Sequence, residues 1–396
     1  MKVLYYGETP IIQTGGGQVG KHLLEMLAEK GHDVRCVPIN HPDTAKYNKE
    51  KYPYIFYPSP SGQMHNVENA RRHILEDEYD LLFLTGDINI IDSVMDAVIE
   101  RRQSHSFRLA VYAAIDNFWF NRHYLRCLTL ADYPVVFSAY ARGIAVFYSN
   151  ILAGRIYVIG HGCEPDVFYP LPEDERREVR KNAFGCGDDD FIVINVNRNQ
   201  VRKDLGRSMY AFHKFHQKRP NSKLYLHAKR HDVGGHLPSQ AALLGLTVLG
   251  SEPSIIFTPP DYEEVNGIPR HMLNRIYNAA DVFFTTSTGE GWGLTTTEAM
   301  AAQVPIVAPA NTTFVEILGS ERGYLAESGG DDLWFIQYGE SEAPRELVSV
   351  TDSVRQLEYV YTHRNEAKEK ARKAREWTLL RTWKHIKHQW QVILDL

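Results

Sequence analysis

Short apolar runs alternating with helical patterns, once over the first half of the chain and again over the second, constrain this sequence most. Strands are predicted at Lys2–Tyr6, Val34–Ile39, Leu81–Leu84, Leu109–Ala113, Tyr133–Phe137 and Ile156–Ile159. Between the first two lies a predicted helix, Val19–Glu29, with Val19, Leu23, Met26 and Leu27 on one face. Gly31 stops it and Asp33-Val-Arg-Cys opens the next strand. Repeated βαβ units imply a parallel, doubly wound sheet. A proline-rich break, Pro165-Asp-Val-Phe-Tyr-Pro-Leu-Pro172, and a charged stretch to Arg180 interrupt the pattern. It restarts with Phe191-Ile-Val-Ile-Asn-Val and continues through Lys223–His227, Val282–Thr285 and Ile306–Ala308. A chain of 396 residues exceeds one ordinary core. The expectation is two Rossmann-like α/β domains, residues 1–170 and 171–375, followed by a C-terminal helix over residues 376–396. In that last segment Trp377, Leu380, Trp383, Ile386 and Trp390 lie at helical spacing, as a core-packing stripe would.

Charge and cysteine usage exclude several classes. A net charge of -5 gives no footprint for non-specific nucleic-acid binding. The basic cluster Lys368, Lys370, Arg372, Lys373 and Arg375 is interleaved with Glu366, Glu369 and Glu376, the pattern of a solvated helix face. Cys36, Cys127, Cys163 and Cys186 are scattered without paired spacing, which suits a reducing compartment. Met1-Lys-Val-Leu-Tyr-Tyr-Gly begins as a strand and not as a signal peptide. No run approaches the ~18 apolar residues of a membrane span. A cytoplasmic protein without a transmembrane segment is expected, with peripheral membrane contact left open.

Chemistry concentrates in Glu290-Gly-Trp-Gly-Leu-Thr-Thr-Thr-Glu298, preceded by the strand-like Asp281-Val-Phe-Phe-Thr-Thr. Strand, glycine turn and helix are expected here, with two carboxylates eight positions apart. A helix N-terminus presents unpaired N–H groups and partial positive charge, so a phosphate can sit on the turn. Thr295-x-x-Glu298 also satisfies a capping box, which leaves both roles open for Glu298. Arg198-Asn-Gln-Val-Arg-Lys203 follows the first strand of the second domain. Two cations five apart at the carboxyl end of such a strand could embrace a diphosphate, or stand in a solvated loop. Gly15-Gly-Gly-Gln-Val-Gly20 satisfies G-x-G-x-x-G literally. The seven residues Glu8 to Thr14 make the turn too long for a dinucleotide fingerprint, and Pro38-Ile-Asn40 lacks the ribose-binding acid. Histidines and cations at His227, Lys229, Arg230, His231 and His236 lack the spacing of a metal site, so no metal or cofactor is expected.

Glu-Gly-x-Gly-Leu-x-x-x-Glu-Ala-Met-Ala resembles the E-x7-E motif of retaining glycosyltransferases of family 4, which have the GT-B fold. The resemblance is strongest over residues 190–320. It implies that Glu290 touches the donor sugar, that Gly291, Trp292, Gly293 and Leu294 offer backbone N–H groups, and that Glu298 holds the ribose hydroxyls. It implies that Arg198 and Lys203 neutralise a departing nucleoside diphosphate, with Arg202 able to assist; Asp204 stands where the family has glycine. Gly15, Gly16 and Gly17 would approach the donor phosphate or the acceptor. Asp116, in Ala113-Ala-Ile-Asp-Asn-Phe-Trp, matches a donor-contacting His or Asp, or forms an Asx turn. Phe118, Trp119 and Phe120 form an acceptor platform or a packed loop. His161 replaces an asparagine of the family's hinge segment, and Asn311-Thr312-Thr313 replaces a glycine pair before Glu316. In the resembled fold a terminal helix crosses back to the N-terminal domain. The partners implied are a nucleotide-sugar donor and a glycan, lipid, protein or small-molecule acceptor. A nucleotide-sugar epimerase or hydrolase on the same fold, and a non-enzymatic sugar-nucleotide-binding protein, are the rival readings.

Overall fold

A computed structural model describes residues 1–12, 14–39, 52–58, 64–248, 253–259, 268–337 and 343–395. Asn40, singled out at the end of the second predicted strand, lies outside them. The chain forms two compact units. The first comprises Met1–Gly162 with Trp383–Leu396, and the second Cys163–Glu263 with Ile268–Thr382.

The first unit is built on seven strands: β1 (Lys2–Glu8), β2 (Asp33–Ile39), β3 (Ile55–Phe56), β4 (Leu81–Asp87), β5 (Arg108–Ala114), β6 (Tyr133–Val136) and β7 (Tyr157–Val158). Their order is β3-β2-β1-β4-β5-β6-β7, all paired in parallel. Parallel sheets need both faces covered, and the central strands are apolar on both. Leu4, Tyr6, Leu82, Leu84, Leu109 and Val111 pack one side under the crossover helices.

The second unit repeats the plan with β8 (Phe191–Val196), β9 (Ser222–His227), the hairpin β10 (His231–Asp232) and β11 (Gly235–His236), β12 (Ile255–Phe257), β13 (Val282–Phe284), β14 (Ile306–Pro309) and β15 (Tyr324–Ala326). The sheet order is β12-β9-β8-β13-β14-β15. A second hairpin pairs β16 (Trp334–Gln337) with β17 (Ala343–Glu346). In each sheet the winding reverses once, between β1 and β4 and between β8 and β13. Doubly wound sheets bind ligands beside the carboxyl ends of such strand pairs. The expected two-sheet α/β architecture is what the chain adopts.

The C-terminal stripe differs from its sequence pattern. One helix runs Arg364–Leu379 and a second Trp383–Leu394. Between them Cys163 N donates to Arg381 O at 2.7 Å and Cys163 bridges Thr382, so the backbone pairs there instead of continuing the helical ladder. Leu380 is consequently 72% exposed and is not a core residue. The last helix belongs to the first unit. Trp390 is fully buried against Phe83 and Tyr112, with ring centroids 4.9 and 5.0 Å away, and Trp383 stacks on His22 at 4.3 Å.

Candidate functional site

Both motif segments of the second unit leave adjacent strands. The loop after β8 carries Arg198 to Lys203 and tightens into one 3-10 turn, Val201–Lys203. The loop after β13 carries Thr285 to Gly293 and opens the helix Leu294–Ala301. A buried polar network ties the two loops together. Asn197 Nδ2 donates to Asn195 Oδ1 at 2.8 Å and to Thr285 Oγ1 at 3.3 Å. Thr286 Oγ1 lies 2.7 Å from Ser208 Oγ and donates to Asp204 O at 2.8 Å. Thr288 N donates to Arg202 O at 2.8 Å.

These bonds bring three charged side chains together. Lys203 Nζ donates to Glu290 Oε1, and Arg202 Nη1 donates to Glu290 Oε2 at 3.1 Å and also to Gly289 O. Lys203 and Glu290 are both buried. Burial alone would raise the Glu290 carboxyl, but the Lys203 and Arg202 charges outweigh it and hold the group at about 2. It is a carboxylate at any ordinary pH. Its backbone is fixed as well. Glu290 N donates to Thr312 Oγ1 at 3.0 Å, and Thr313 Oγ1 donates to Glu290 O at 3.0 Å. Thr312 sits at φ +42° where the resembled family has glycine, and its hydroxyl takes up the bond that makes the position worth its strain.

Asp204 resolves similarly. It adopts the left-handed conformation, φ 45° and ψ 52°, which aspartate tolerates better than most residues. Its carboxylate accepts from Arg207 N at 3.2 Å and Arg207 Nε at 2.9 Å, capping the helix Leu205–Lys218. The turn therefore forms without glycine.

Gly293 stands at φ +91° as the N-cap of Leu294–Ala301 and brings no side chain to the helix start. The first N–H groups of a helix lack intrahelical acceptors, so this end presents donors and partial positive charge. Gly291 and buried Trp292 lead into it, Trp292 lying 6.2 Å from Trp377.

Glu298, one turn inside, is no capping-box residue. Its carboxyl accepts from Tyr277 Oη at 2.9 Å and from Arg270 Nη2 at 3.5 Å, and Arg270 also pairs with Glu164. Burial pushes this carboxyl up to about 7, only partly offset by Arg270 and Tyr277. Two acidic motif residues thus sit at opposite ends of the protonation scale, Glu290 charged and Glu298 poised near neutrality.

Arg198 turns away from this cluster. Its side chain is half exposed, and Nε donates to Asp232 Oδ2 at 3.0 Å on the β10–β11 hairpin. Of the three cations in the loop, Arg202 and not Arg198 stands with Lys203 at Glu290. Spacing alone could not order them, because the choice depends on the 3-10 turn. Tyr277 and Arg270 escaped the sequence reading. Their spacing of seven on the helix Arg270–Ala279 was the available signal, since it places both on one face.

The remaining candidates lie in the first unit. Gly15, Gly16 and Gly17 open the helix Gly15–Glu29 after β1, capped by Thr14, whose Oγ1 accepts from Gly17 N at 3.0 Å. A Cβ on Gly17 would lie 2.4 Å from Ile12 O, and one on Gly20 2.5 Å from Glu8 O. Close passage of the chain's own backbone therefore requires those two glycines. Asp116 is half-buried, two residues beyond β5. His161 is buried, with Nδ1 2.7 Å from Tyr112 Oη and its ring 4.3 Å from Phe137. Burial pushes its pKa down to about 3, so its ring is neutral at ordinary pH. Among the described residues no helix is long and apolar enough to cross a membrane.

Comparison with known proteins bears on the fold. A family model described as "Glycosyl transferases group 1" matches residues 263–334. The chain is 28% identical over 162 residues to an alpha-monoglucosyldiacylglycerol synthase of Acholeplasma laidlawii, covering 41% of this chain and 37% of that protein. It is 31% identical over 161 residues to a D-inositol 3-phosphate glycosyltransferase of Mycolicibacterium smegmatis, covering 41% and 33%. The matched stretch thus spans about a third of each curated relative's length. Among solved structures, the sucrose-phosphate synthase of Thermosynechococcus elongatus superposes with TM-score 0.73 at 17% identity, covering 100% of this chain and 98% of that one. HepE of Anabaena, solved with UDP and glucose, gives 0.72 at 17% identity, covering 100% and 99%. The chain has the GT-B fold, and its residues 263–334 are similar to the group 1 glycosyl transferases.

Proposed function

We propose that the chain is a retaining glycosyltransferase that moves a sugar from a nucleoside-diphosphate sugar to an acceptor hydroxyl. The observation that carries this reading is the convergence of Lys203 and Arg202 on Glu290, beside the helix start at Gly293–Leu294 and at the switch point of a doubly wound sheet. Breaking the anomeric C–O bond leaves negative charge on the β-phosphate. Preorganised cations and N–H groups aimed at that charge lower the barrier most. Lys203 is the principal counterion, Arg202 and Arg198 assist, and the N–H groups from Gly291 to Leu294 receive phosphate oxygens. Glu290, fully ionised, orients the sugar hydroxyls. Glu298 takes the ribose hydroxyls, for which a carboxyl near neutrality can both accept and donate.

The acceptor oxygen attacks on the face the leaving group vacates. The anomeric C–O(phosphate) bond breaks, the C–O(acceptor) bond forms, and the acceptor's proton passes to the departing phosphate oxygen. Configuration is retained without a protein nucleophile. No metal is needed in this scheme, because side-chain cations serve the diphosphate. Gly15, Gly16 and Gly17 of the first unit are assigned to the donor phosphate or the acceptor, and Asp116 to the donor sugar. The E-x7-E spacing supports membership of family 4.

The test is incubation with UDP-, GDP- and ADP-sugars, with and without a panel of glycan, lipid and small-molecule acceptors. Acceptor-dependent release of nucleoside diphosphate, with α-linked product from an α-linked donor, is expected. Donor turnover indifferent to every acceptor would favour an epimerase or hydrolase, and binding without turnover a non-enzymatic protein.

A further inference from the structure

The first unit carries an exposed apolar surface that the proposed chemistry does not use. It gathers on the elements around β6 and β7, at one edge of the sheet. Phe147, at the end of the helix Ala139–Tyr148, is 67% exposed, and Ile151, in the 3-10 turn that follows, is 65% exposed. Trp119 is 48% exposed and contacts Phe118 with ring centroids 4.9 Å apart. Phe118 lies 5.5 Å from Phe147, which joins the two exposed aromatics through a shared neighbour. Tyr157 and Val158 on the edge strand are exposed too. Exposed apolar groups clustered in this way mark an interaction surface, while scattered ones need no explanation.

Charge selects the occupant. The chain as a whole has net charge -5, yet residues 117–158 carry four arginines, Arg122, Arg126, Arg142 and Arg155, against one carboxylate, Asp132. Arg126 is taken up by Asp92 and Asp96, and Asp132 pairs with Arg102, which leaves Arg122, Arg142 and Arg155 for the surface. Arg122 lies over the Tyr148 ring at 4.9 Å, within the aromatic cluster, and Arg142 is exposed on the same helix as Phe147. Arg155 donates to Ala131 O at 3.0 Å, beside exposed Leu130. Exposed aromatic and aliphatic side chains with arginines on the same elements match the interface of an anionic bilayer. A nucleic acid would use the arginines and leave Phe147 and Ile151 in water.

We propose that this face, centred on Trp119, Phe147 and Ile151, docks the protein peripherally on anionic lipid membranes. Binding combines insertion of the apolar side chains with attraction between Arg122, Arg142 and Arg155 and lipid headgroups. It requires no spanning helix and is independent of whether the second unit transfers sugar.

Vesicle flotation tests this, using phosphatidylcholine vesicles with and without phosphatidylglycerol. The full chain should float with the anionic vesicles. Phe147→Ser and Trp119→Ser together should weaken that partition about tenfold or more, since each withdraws a bulky side chain from the interface. Arg122→Gln with Arg142→Gln should weaken it on anionic vesicles only. Raising salt from about 0.1 M to about 1 M, which shortens screening from roughly 10 Å to 3 Å, should act like the arginine changes. Both pairs are exposed and lie outside the proposed donor site, and circular dichroism checks that they fold. Partition onto anionic vesicles unaltered by either pair overturns the proposal. So does absence of flotation combined with a dimer, seen by light scattering, that Phe147→Ser dissolves, because the face would then be a contact between copies of this chain.

Discussion

Removing Lys203 should expose how the candidate site is held. Glu290 and Lys203 are both buried and bonded to each other, and Arg202 reaches the second carboxylate oxygen at 3.1 Å. Displacement of the Glu290 carboxyl from an ordinary 4.5 to about 2 corresponds to about 3 kcal/mol of net stabilisation of the charged form. That figure is what survives after desolvation, and the two cations share it. Lys203→Met strands a buried carboxylate beside one remaining cation, which should destabilise the fold by about 3 kcal/mol. Glu290→Gln should destabilise by a similar amount. The double variant leaves no stranded charge, so it should recover part of the loss. Urea unfolding of the four proteins at neutral pH gives the coupling, expected at about 1–3 kcal/mol. The sign with pH is fixed by the lowered folded-state pKa. The stabilisation is fully present above about 4.5 and is lost as pH falls through about 2. A coupling below about 0.5 kcal/mol would show that Lys203 and Glu290 are not paired in solution. The assigned geometry would then fail.

Other outcomes follow from the same structure. Lys203→Ala and Glu290→Ala should each lower turnover by about 10²–10³, the loss typical of an electrostatic stabiliser. Arg202→Ala should lower it more than Arg198→Ala, because Arg198 is held by Asp232; the reverse order would return the primary role to Arg198. Glu298 has a raised pKa of about 7, so its contribution to stability is present below the unfolded value near 4.5 and lost as pH rises through 7. Wild type should therefore lose on the order of 1–3 kcal/mol between about pH 5 and pH 8 through this group. Glu298→Gln should flatten that slope and weaken nucleotide binding, and thermal melts across pH read the first effect. Trp390→Ala empties a fully buried site against Phe83 and Tyr112 and should cost about 3–5 kcal/mol by denaturant titration. A loss under about 1 kcal/mol would mean that the terminal helix is not docked there.

The two parallel sheets were legible because their central strands are long apolar runs between helical repeats. Lys2–Glu8, Leu81–Asp87 and Arg108–Ala114 all contain the predicted strands. Ile55–Phe56, Ile255–Phe257 and Tyr324–Ala326 escaped, being two or three residues long and therefore without measurable period. Periodicity also ran unbroken from Trp377 to Trp390, where the structure has two helices. Apolar spacing does not register the backbone pairing of Cys163 with Arg381 and Thr382 that interrupts them. In the site, Glu290 and Glu298 were visible through the glycine turn between them. Which cation reaches Glu290 was not, since Arg198, Arg202 and Lys203 differ by how the turn at 201–203 rotates them. Tyr277 and Arg270 were hidden for another reason. They meet Glu298 across some 20 to 30 residues of sequence, and only the fold brings them together.

In the proposed reaction the second unit anchors a nucleoside diphosphate through Lys203 and the helix start at Gly293–Leu294. Calorimetric titration of UDP, GDP and ADP into wild type and Lys203→Ala tests it most directly. Measurable binding of at least one nucleotide to wild type is expected, weakened about tenfold or more in Lys203→Ala by loss of a charge-assisted contact. No binding of any of the three, or binding of equal strength to both proteins, would contradict it.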